Sequence, residues 1–192
     1  MNLQKEFEQA MTLAEYNETL GEQSALHDLH YKKAVINFEV PQNLNLNILV
    51  ITEPWCGDST AIIPVIEKLF ADTNVEIRMV HRDENPELMD RFLTNGARAI
   101  PVFIMLDKKG NYISRFGSRP SKAKAIFESY RKDILEGKIE KPEVTKKIRT
   151  FYAKDRGRAI LNDFTAILNE FLTEQRILEY GSTAAETPAS YK

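Results

Sequence analysis

Cysteine is nearly absent from this sequence, since Cys56 is the only one among 192 residues. A single cysteine excludes an intramolecular disulfide, so the fold has to be held together by an apolar core. The apolar share of 43% is sufficient for such a core, and the length predicts one domain with elaborations. Because nothing in the cysteine usage requires an oxidising compartment, the sequence predicts a cytoplasmic protein.

Long apolar runs and a large excess of one charge are also missing. The longest uninterrupted apolar stretch, from Ala99 to Leu106, contains a proline and is too short to span a membrane. The first residues lack the apolar centre of a signal peptide. The net charge of −2 gives no electrostatic reason to bind nucleic acid or an anionic membrane. We therefore expect neither nucleic acid nor a membrane among the partners.

Histidine is scarce as well, and His27, His30 and His81 do not form a metal-binding pattern. His27 and His30 are close in sequence, but no third or fourth ligand lies nearby. We expect no metal and no other cofactor, and we interpret all three histidines as surface or strand-end residues. A glycine-rich phosphate loop and a nucleophile elbow are likewise missing.

Apolar patterning divides the chain into four segments. Residues 1–45 predict an N-terminal helical segment packed on the core. Residues 46–137 alternate strand and helix in the order βαβαββα, which predicts an α/β fold with a mixed sheet and helices on both faces. Residues 138–180 predict a C-terminal helical extension, and the small polar residues 181–192 predict a disordered tail.

Spacing marks the elements within these segments. The first helix has Leu3, Phe7 and Met11 on one face, can be capped by Asn2 and continues towards Gly21. The predicted strands are 47–52, 75–80, 101–106 and 112–117. The predicted helices of the central segment span 59–71, from 85 to Gly96, and 120–135, and the first of them contains Pro64.

The C-terminal extension combines a basic segment with an apolar stripe. We interpret the basic residues between Lys138 and Arg158 as a solvated helical face, with docking to an acidic partner as the alternative. The stripe consists of Leu161, Phe164, Leu168, Phe171 and Leu178. We interpret it as packed on the domain, while its heptad-like spacing leaves open a homodimer or a protein partner.

The stretch Trp55-Cys56-Gly57-Asp58-Ser59 holds both the only tryptophan and the only cysteine. It lies between a predicted strand and a predicted helix. A thiol at such a turn meets free backbone N–H groups and the positive end of the helix dipole, which favour a thiolate. The pattern predicts Cys56 as a nucleophile, and the alternative is a small buried residue with a structural role.

Together, the strand order and this stretch resemble the thioredoxin superfamily. Residues 55–59 resemble its Trp-Cys-Gly-Pro-Cys signature, and Pro64 lies where thioredoxins have a proline in the following helix. The run Asp83-Glu84-Asn85-Pro86 resembles the Asp-x-Asn-Pro that follows their next strand. Ile100-Pro101 resembles the Ile-Pro whose peptide bond is cis beside the active-site sulfur. The resemblance covers about half of the chain and leaves both terminal helical regions outside.

A narrower resemblance is to a bacterial thioredoxin-like branch that lacks the second cysteine. It rests on Trp-Cys-Gly-Asp with the later run Phe116-Gly117-Ser118-Arg119-Pro120. Ser59 stands where dithiol members have their second cysteine, and Val50 stands where they have a buried acid that serves it. Both parts of the dithiol chemistry are therefore missing together.

The resemblance implies a monothiol protein of cytosolic thiol–disulfide exchange, in which Cys56 attacks and an external thiol releases the product. The Ser59 hydroxyl would stabilise the thiolate by a hydrogen bond, whereas the Asp58 carboxylate would oppose it, and the sequence does not decide between them. The expected substrates are mixed disulfides between a protein and a small thiol. Enzymatic activity itself stays open at this level.

The resemblance also implies a substrate-binding surface. It consists of Trp55, Gly57, Asp58, Ile100 and Pro101. Trp55 would shield the sulfur and stack on a partner, or it is a half-buried core aromatic. A cis bond before Pro101 would leave neighbouring backbone free to pair with an extended chain. The alternative function is a non-catalytic thioredoxin-fold adaptor that binds protein partners through this surface and the terminal helices.

Overall fold

The computed structural model describes the backbone of residues 1–183 and the side chains of residues 1–173. Within these residues, five strands form one mixed sheet in the order β1-β3-β2-β4-β5. The strands are β1 (Met11–Thr12), β2 (Asn47–Thr52), β3 (Glu76–His81), β4 (Val102–Leu106) and β5 (Tyr112–Gly117). Strands β2 and β3 are parallel, and the other neighbours are antiparallel. The predicted mixed sheet is confirmed, with one short strand added at its edge.

Helices cover both faces of this sheet. They are α1 (Gln4–Gln9), α2 (Leu13–Glu18), α3 (Ser24–Lys33), α4 (Gly57–Phe70), α5 (Pro86–Asp90), α6 (Ser121–Ser129), α7 (Arg131–Leu135), α8 (Lys141–Asp155) and α9 (Arg158–Thr183). Every residue of β2 is buried, and its side chains alternate between two apolar clusters. One cluster includes residues of α4, α8 and α9, and the other includes residues of α1 and α5. The central strand is therefore enclosed on both sides.

The predicted stripe of the C-terminal helix packs on this core. Leu161, Phe164, Leu168 and Phe171 are buried, and the Phe164 ring contacts the rings of Phe70, Phe103 and Phe116. The side chain of Leu178 lies outside the described residues. The stripe therefore packs against the rest of the chain, at least from Leu161 to Phe171.

The prediction of one continuous N-terminal helix towards Gly21 is wrong. Helix α1 ends at Gln9, and Met11 and Thr12 pair antiparallel with β3 before α2 begins. The reason is a capping box, in which the Thr12 side chain accepts from the Glu15 backbone N–H and the Glu15 carboxylate accepts from the Thr12 N–H. This local signal starts a new helix despite the continuous apolar face.

Other predicted boundaries shift by shorter distances. Helix α5 ends at Asp90, before the predicted stop at Gly96, and the predicted helix 120–135 is divided at Tyr130. Strand β4 begins after Pro101, which has no N–H to donate to a sheet. Helix α9 continues to Thr183, and the rest of the predicted disordered tail, residues 184–192, lies outside the described residues.

The position of one histidine differs from the prediction. His27 is buried on α3, so its prediction as a surface or strand-end residue is wrong. Its helix packs against α4, and burial of that face encloses the imidazole.

Among the described residues, there is no group of His, Cys, Asp and Glu side chains that could hold a metal ion. No described helix combines the length and apolar character needed to cross a membrane.

Candidate functional site

Cys56 occupies the N-cap position of α4, directly after the turn that follows β2. Its backbone N–H donates to the Glu53 carbonyl at 3.1 Å, and its own carbonyl accepts from the Thr60 N–H at 3.0 Å. The turn and the first helical bond therefore fix the residue at the end of the helix where the dipole favours negative charge.

The sulfur faces the loop before β4. Cys56 is 8% exposed, and its Sγ lies 3.7 Å from the Ile100 carbonyl oxygen. The Ile100–Pro101 peptide bond is cis, as the sequence predicted. Gly117 packs so closely on Pro101 that a Cβ on this glycine would collide with the Pro101 carbonyl oxygen. The structure thus brings three predicted residues, Cys56, Ile100 and Pro101, into one place.

Trp55 is the exposed member of the motif. Its side chain is 57% exposed, and the Arg82 guanidinium lies 5.0 Å from the ring centre. Of the two alternatives for Trp55, a position in the core does not agree with this exposure. The indole is thus exposed, with Arg82 over its ring, next to a thiol that is itself almost covered.

Ser59 lies in the first turn of α4 and is fully buried. Its hydroxyl has no hydrogen-bond partner among the described residues, so the expected bond to the Cys56 sulfur is not formed. Val50, which the resemblance aligns with the buried acid of dithiol members, is also fully buried and belongs to the apolar core. The position of the acid is therefore filled by an apolar side chain, and the hydroxyl of Ser59 stays without a partner.

Gly57 provides room for a side chain from α8. A Cβ on Gly57 would lie only 2.7 Å from Nε of Arg149. The Arg149 guanidinium therefore covers the backbone next to Cys56, and Gly57 allows this close approach. Since Arg149 belongs to the segment interpreted as a solvated basic face, at least one of its cations lies at the candidate site.

Asp58 is held by two partners from distant parts of the chain. Arg119, in the turn after β5, donates from Nε to Oδ2 at 2.8 Å, and its Nη2 forms an ion-pair contact with the same oxygen at 2.8 Å. The Tyr152 hydroxyl, on α8, donates to Oδ1 at 2.9 Å. The Asp58 side chain is only 13% exposed, so this ion pair and the phenolic hydrogen bond are partly shielded from water.

The environment shifts the pKa of both partners of Asp58. Burial lowers the pKa of Arg119, but the hydrogen bond and charge of Asp58 raise it more, with a smaller contribution in the same direction from Cys56. Burial, followed by the Asp58 charge, raises the pKa of Tyr152 far above its ordinary value. Arg119 therefore stays charged and Tyr152 stays protonated, as their donor roles require.

Two further polar groups surround the turn. The Glu53 side chain is buried, and its Oε1 accepts from the Asp83 backbone N–H at 2.8 Å. The Tyr16 hydroxyl, on α2, lies 3.4 Å from Oγ1 of Thr52, and burial raises the pKa of Tyr16 to about 12. The turn before Cys56 is thus supported from α2 and from the segment after β3.

Sequence reasoning missed three residues of this site, namely Arg119, Tyr152 and Arg149. The run Phe116 to Pro120 carried a signal for Arg119, because it was part of the narrower resemblance. Tyr152 and Arg149 belong to α8 and carried no motif, so only the folded structure places them beside Asp58 and Gly57.

Comparison with known proteins agrees with this architecture. A family model described as Thioredoxin matches residues 4–131. The match includes the N-terminal helices, so the expectation that they lie outside the resemblance is wrong. Thioredoxin 1 of Synechococcus elongatus and thioredoxin of Porphyra purpurea are each 27% identical to this chain over 93 residues, covering 47% of this chain and 78% of each relative.

Two solved structures share the fold over most of the chain. The crystal structure of an HIV epitope-scaffold has a TM-score of 0.61 and 17% identity, and the match covers 88% of this chain and 99% of the scaffold. The crystal structure of a protein of unknown function from Pseudomonas aeruginosa has a TM-score of 0.53 and 17% identity, covering 85% and 95% of the two chains. The predicted fold class, with helices added at both ends, is thereby confirmed.

Proposed function

This chain belongs to the thioredoxin family, and from that premise we propose that it acts as a cytosolic monothiol protein of thiol–disulfide exchange, with Cys56 as the nucleophile. The observation that carries the proposal is the position of its sulfur. Cys56 occupies the N-cap position of α4, and its thiol faces the carbonyl before cis Pro101. A helix N-terminus favours the thiolate, which is the attacking form.

The proposed reaction has two exchange steps. The Cys56 thiolate attacks the small-thiol sulfur of a protein mixed disulfide, forms a disulfide with the small thiol and releases the protein as a thiolate. An external small thiolate then attacks this adduct, which restores Cys56 and gives a disulfide of two small thiols. Because no second cysteine exists in the chain, the adduct persists until an outside thiol arrives.

The substrate would bind over Trp55 and beside Pro101. The exposed indole offers a stacking surface, and the backbone around Ile100 offers hydrogen-bonding groups to an extended chain. Asp58 suits a supporting role better than the predicted substrate contact, because Arg119 and Tyr152 bind both of its oxygens. Gly57 is covered by Arg149, so its backbone would be reached only past that side chain.

The direct test is capture of a small thiol by the full-length protein. A model protein carrying a glutathione mixed disulfide would be incubated with the wild type and with Cys56→Ser, and intact masses would be recorded before and after excess glutathione is added. We expect one glutathione on Cys56 of the wild type, its loss after glutathione addition, and no adduct on Cys56→Ser. A wild type that captures no glutathione would contradict the proposal.

A second candidate is an adaptor without turnover, and the contrast between the exposed Trp55 and the 8% exposed Cys56 favours it. An adaptor would keep its noncovalent partner in Cys56→Ser and lose it in Trp55→Ala. The catalytic protein would instead lose its covalent adducts in Cys56→Ser. A homodimer or a partner on the C-terminal helix stays a prediction, which light scattering of the purified chain would test.

A further inference from the structure

Asp58 joins three separate parts of the chain next to Cys56. It belongs to the first turn of α4, Arg119 follows β5, and Tyr152 belongs to α8. The Arg119 guanidinium also stacks on the Phe127 ring, 4.9 Å from its centre, and Tyr152 is only 2% exposed. The guanidinium is therefore held between the Asp58 carboxylate and the Phe127 ring, and the carboxylate is in turn held by Tyr152.

A shielded carboxylate close to a thiol opposes formation of the thiolate, because like charges in a region of low dielectric disfavour each other. A guanidinium on that carboxylate compensates its charge. Cys56 is among the groups that raise the pKa of Arg119, so the guanidinium lies within electrostatic range of the thiol as well as of Asp58.

We propose that Arg119 is a positioning residue that acts through Asp58: its paired charge keeps the carboxylate from opposing the Cys56 thiolate, and Tyr152 makes α8 a working part of the reactive site. This inference rests on the proposed function, because it concerns the reactivity of the same thiol. It also bears on the two influences that the sequence left undecided, the Ser59 hydroxyl and the Asp58 carboxylate. Ser59 makes no bond to the sulfur, and the charge of Asp58 is compensated by Arg119.

Other charged and titratable groups lie around the reactive motif, on its own segment and on the elements packed against it. They are Glu53 and Asp58 on its own segment, Tyr16 from α2, Arg119 from the turn after β5, and Tyr152 and Arg149 from α8. The two tyrosines stay neutral because burial raises the pKa of each. The cations of this set are Arg119 and Arg149, and Arg82 lies over the ring of the neighbouring Trp55.

The test is the iodoacetamide alkylation rate of Cys56 against pH, measured on the full-length protein. We expect the midpoint of this curve to rise by about one pH unit in Arg119→Gln, because an uncompensated carboxylate is left near the sulfur. The double variant Asp58→Asn with Arg119→Gln should return to within a few tenths of a unit of the wild type. Arg119→Lys should fall between, since it keeps the charge but loses the planar guanidinium that places two nitrogens beside Oδ2.

Arg115→Gln is the matched control, because Arg115 is an exposed arginine of β5 whose Nη2 donates to the Leu93 carbonyl. It should leave the midpoint unchanged. If Arg119→Gln does not fold, Tyr152→Phe replaces it, with an expected rise of a few tenths of a unit. A midpoint that stays at the wild-type value in the folded variant would overturn the inference, because a purely structural Arg119 changes stability alone.

The same curves separate failure of this inference from failure of the proposed function. A wild-type midpoint at or above about 8.5, the value of a free cysteine, contradicts the proposed function. A lower wild-type midpoint that does not respond to Arg119→Gln contradicts only the role of Arg119. A lower midpoint that rises in this variant and recovers in the double variant supports both.

Discussion

Ser59 has an unusual environment for a serine, because it is fully buried and its hydroxyl lacks a partner among the described residues. It lies in the first turn of α4, three residues after the thiol, where a second sulfur would stand in a dithiol member of the family. A buried hydroxyl without a hydrogen bond costs free energy, so this position favours a group that needs no partner. A thiol fulfils that condition better than a hydroxyl.

Ser59→Cys is therefore expected to restore a dithiol site without loss of stability. The first exchange step would then be followed by attack of the new thiol on Cys56, so the captured small thiol would leave without an outside thiol. Intact mass after reaction with a mixed disulfide should show a loss of about two mass units per chain and no lasting adduct. Ser59→Ala serves as the control and should keep the adduct, as the wild type does. A persistent adduct on Ser59→Cys would show that the two side chains do not meet.

At this scale, the sequence predicted the reactive part of the site but not its support. Cys56, Ile100 and Pro101 belong to local motifs, and the structure places them together. Tyr152 lies 94 positions from Asp58 in the chain, in a helix whose pattern only indicated amphipathic packing. Contacts over such separations depend on how α8 docks on α4, which no local pattern specifies.

At the scale of elements, helices α3 and α4 enclose a titratable pair. Nε2 of His27 lies 3.8 Å from Oε2 of Glu67, and neither atom has a hydrogen-bond partner among the described residues. Burial lowers the pKa of His27 to about 4, and burial with the nearby Asp28 charge raises the pKa of Glu67 to about 7. Burial thus favours the neutral form of both groups. Between about pH 4 and pH 7, His27 is neutral and Glu67 is protonated, so the contact is not an ion pair.

The two shifts have opposite effects on stability. The folded protein keeps the Glu67 proton up to about pH 7, whereas the unfolded chain releases it near 4.5, so stability falls as the pH rises through that window. The unfolded chain binds a His27 proton below about 6.5 that the folded protein resists down to about 4, so stability rises with pH there. In the wild type these slopes largely cancel between pH 4.5 and 6.5.

Glu67→Gln should remove the pH dependence of stability that comes from Glu67 and leave the one that comes from His27. We expect its free energy of unfolding to rise from pH 4 to 6.5 and to exceed the wild-type value at pH 8 by about 1–2 kcal/mol. Urea unfolding at a series of pH values measures this. Glu22→Gln, an exposed residue of the turn before α3, should follow the wild type. Parallel curves for Glu67→Gln and the wild type would exclude this titration.

Element boundaries were predictable where turn chemistry agreed with apolar periodicity, and not where the two conflicted. The limits of β2 match the prediction, because a continuous apolar run between polar residues defines a buried strand. The predicted length of the N-terminal helix was wrong because the apolar face of Leu3, Phe7 and Met11 hides the capping box of Thr12 and Glu15, where a new helix begins. The shorter-range signal decides there, since it satisfies backbone groups at once.

At the scale of the whole molecule, the C-terminal extension shares its core with the sheet. Phe164 is fully buried among the rings of Phe70, Phe103 and Phe116, which belong to α4, β4 and β5. Val144, Ile148 and Tyr152 of α8 belong to the same apolar cluster. The boundary at residue 138 therefore separates two patterns in the sequence, but one apolar core contains residues from both sides of it.

Phe164→Ala is expected to lower the free energy of unfolding by about 3–5 kcal/mol, because it leaves a cavity between helix and sheet. Chemical denaturation followed by tryptophan fluorescence would report the change at Trp55, in the central segment. Glu170→Ala, on the exposed face of α9, should change stability by less than about 0.5 kcal/mol. A loss below about 1 kcal/mol for Phe164→Ala, or two separate transitions in the wild type, would mean that the extension folds as its own unit.

The bonds of Asp58 limit how the reactive motif can be transferred to another protein. Residues 55–59 are contiguous, but the partners of the carboxylate stand 61 and 94 positions further along the chain. Grafting the five residues alone onto another sheet of the same family would bring the acid without its compensating cation. The smallest portable unit is the motif together with the Arg119 turn and α8, and grafts that omit either part are expected to yield a less nucleophilic sulfur.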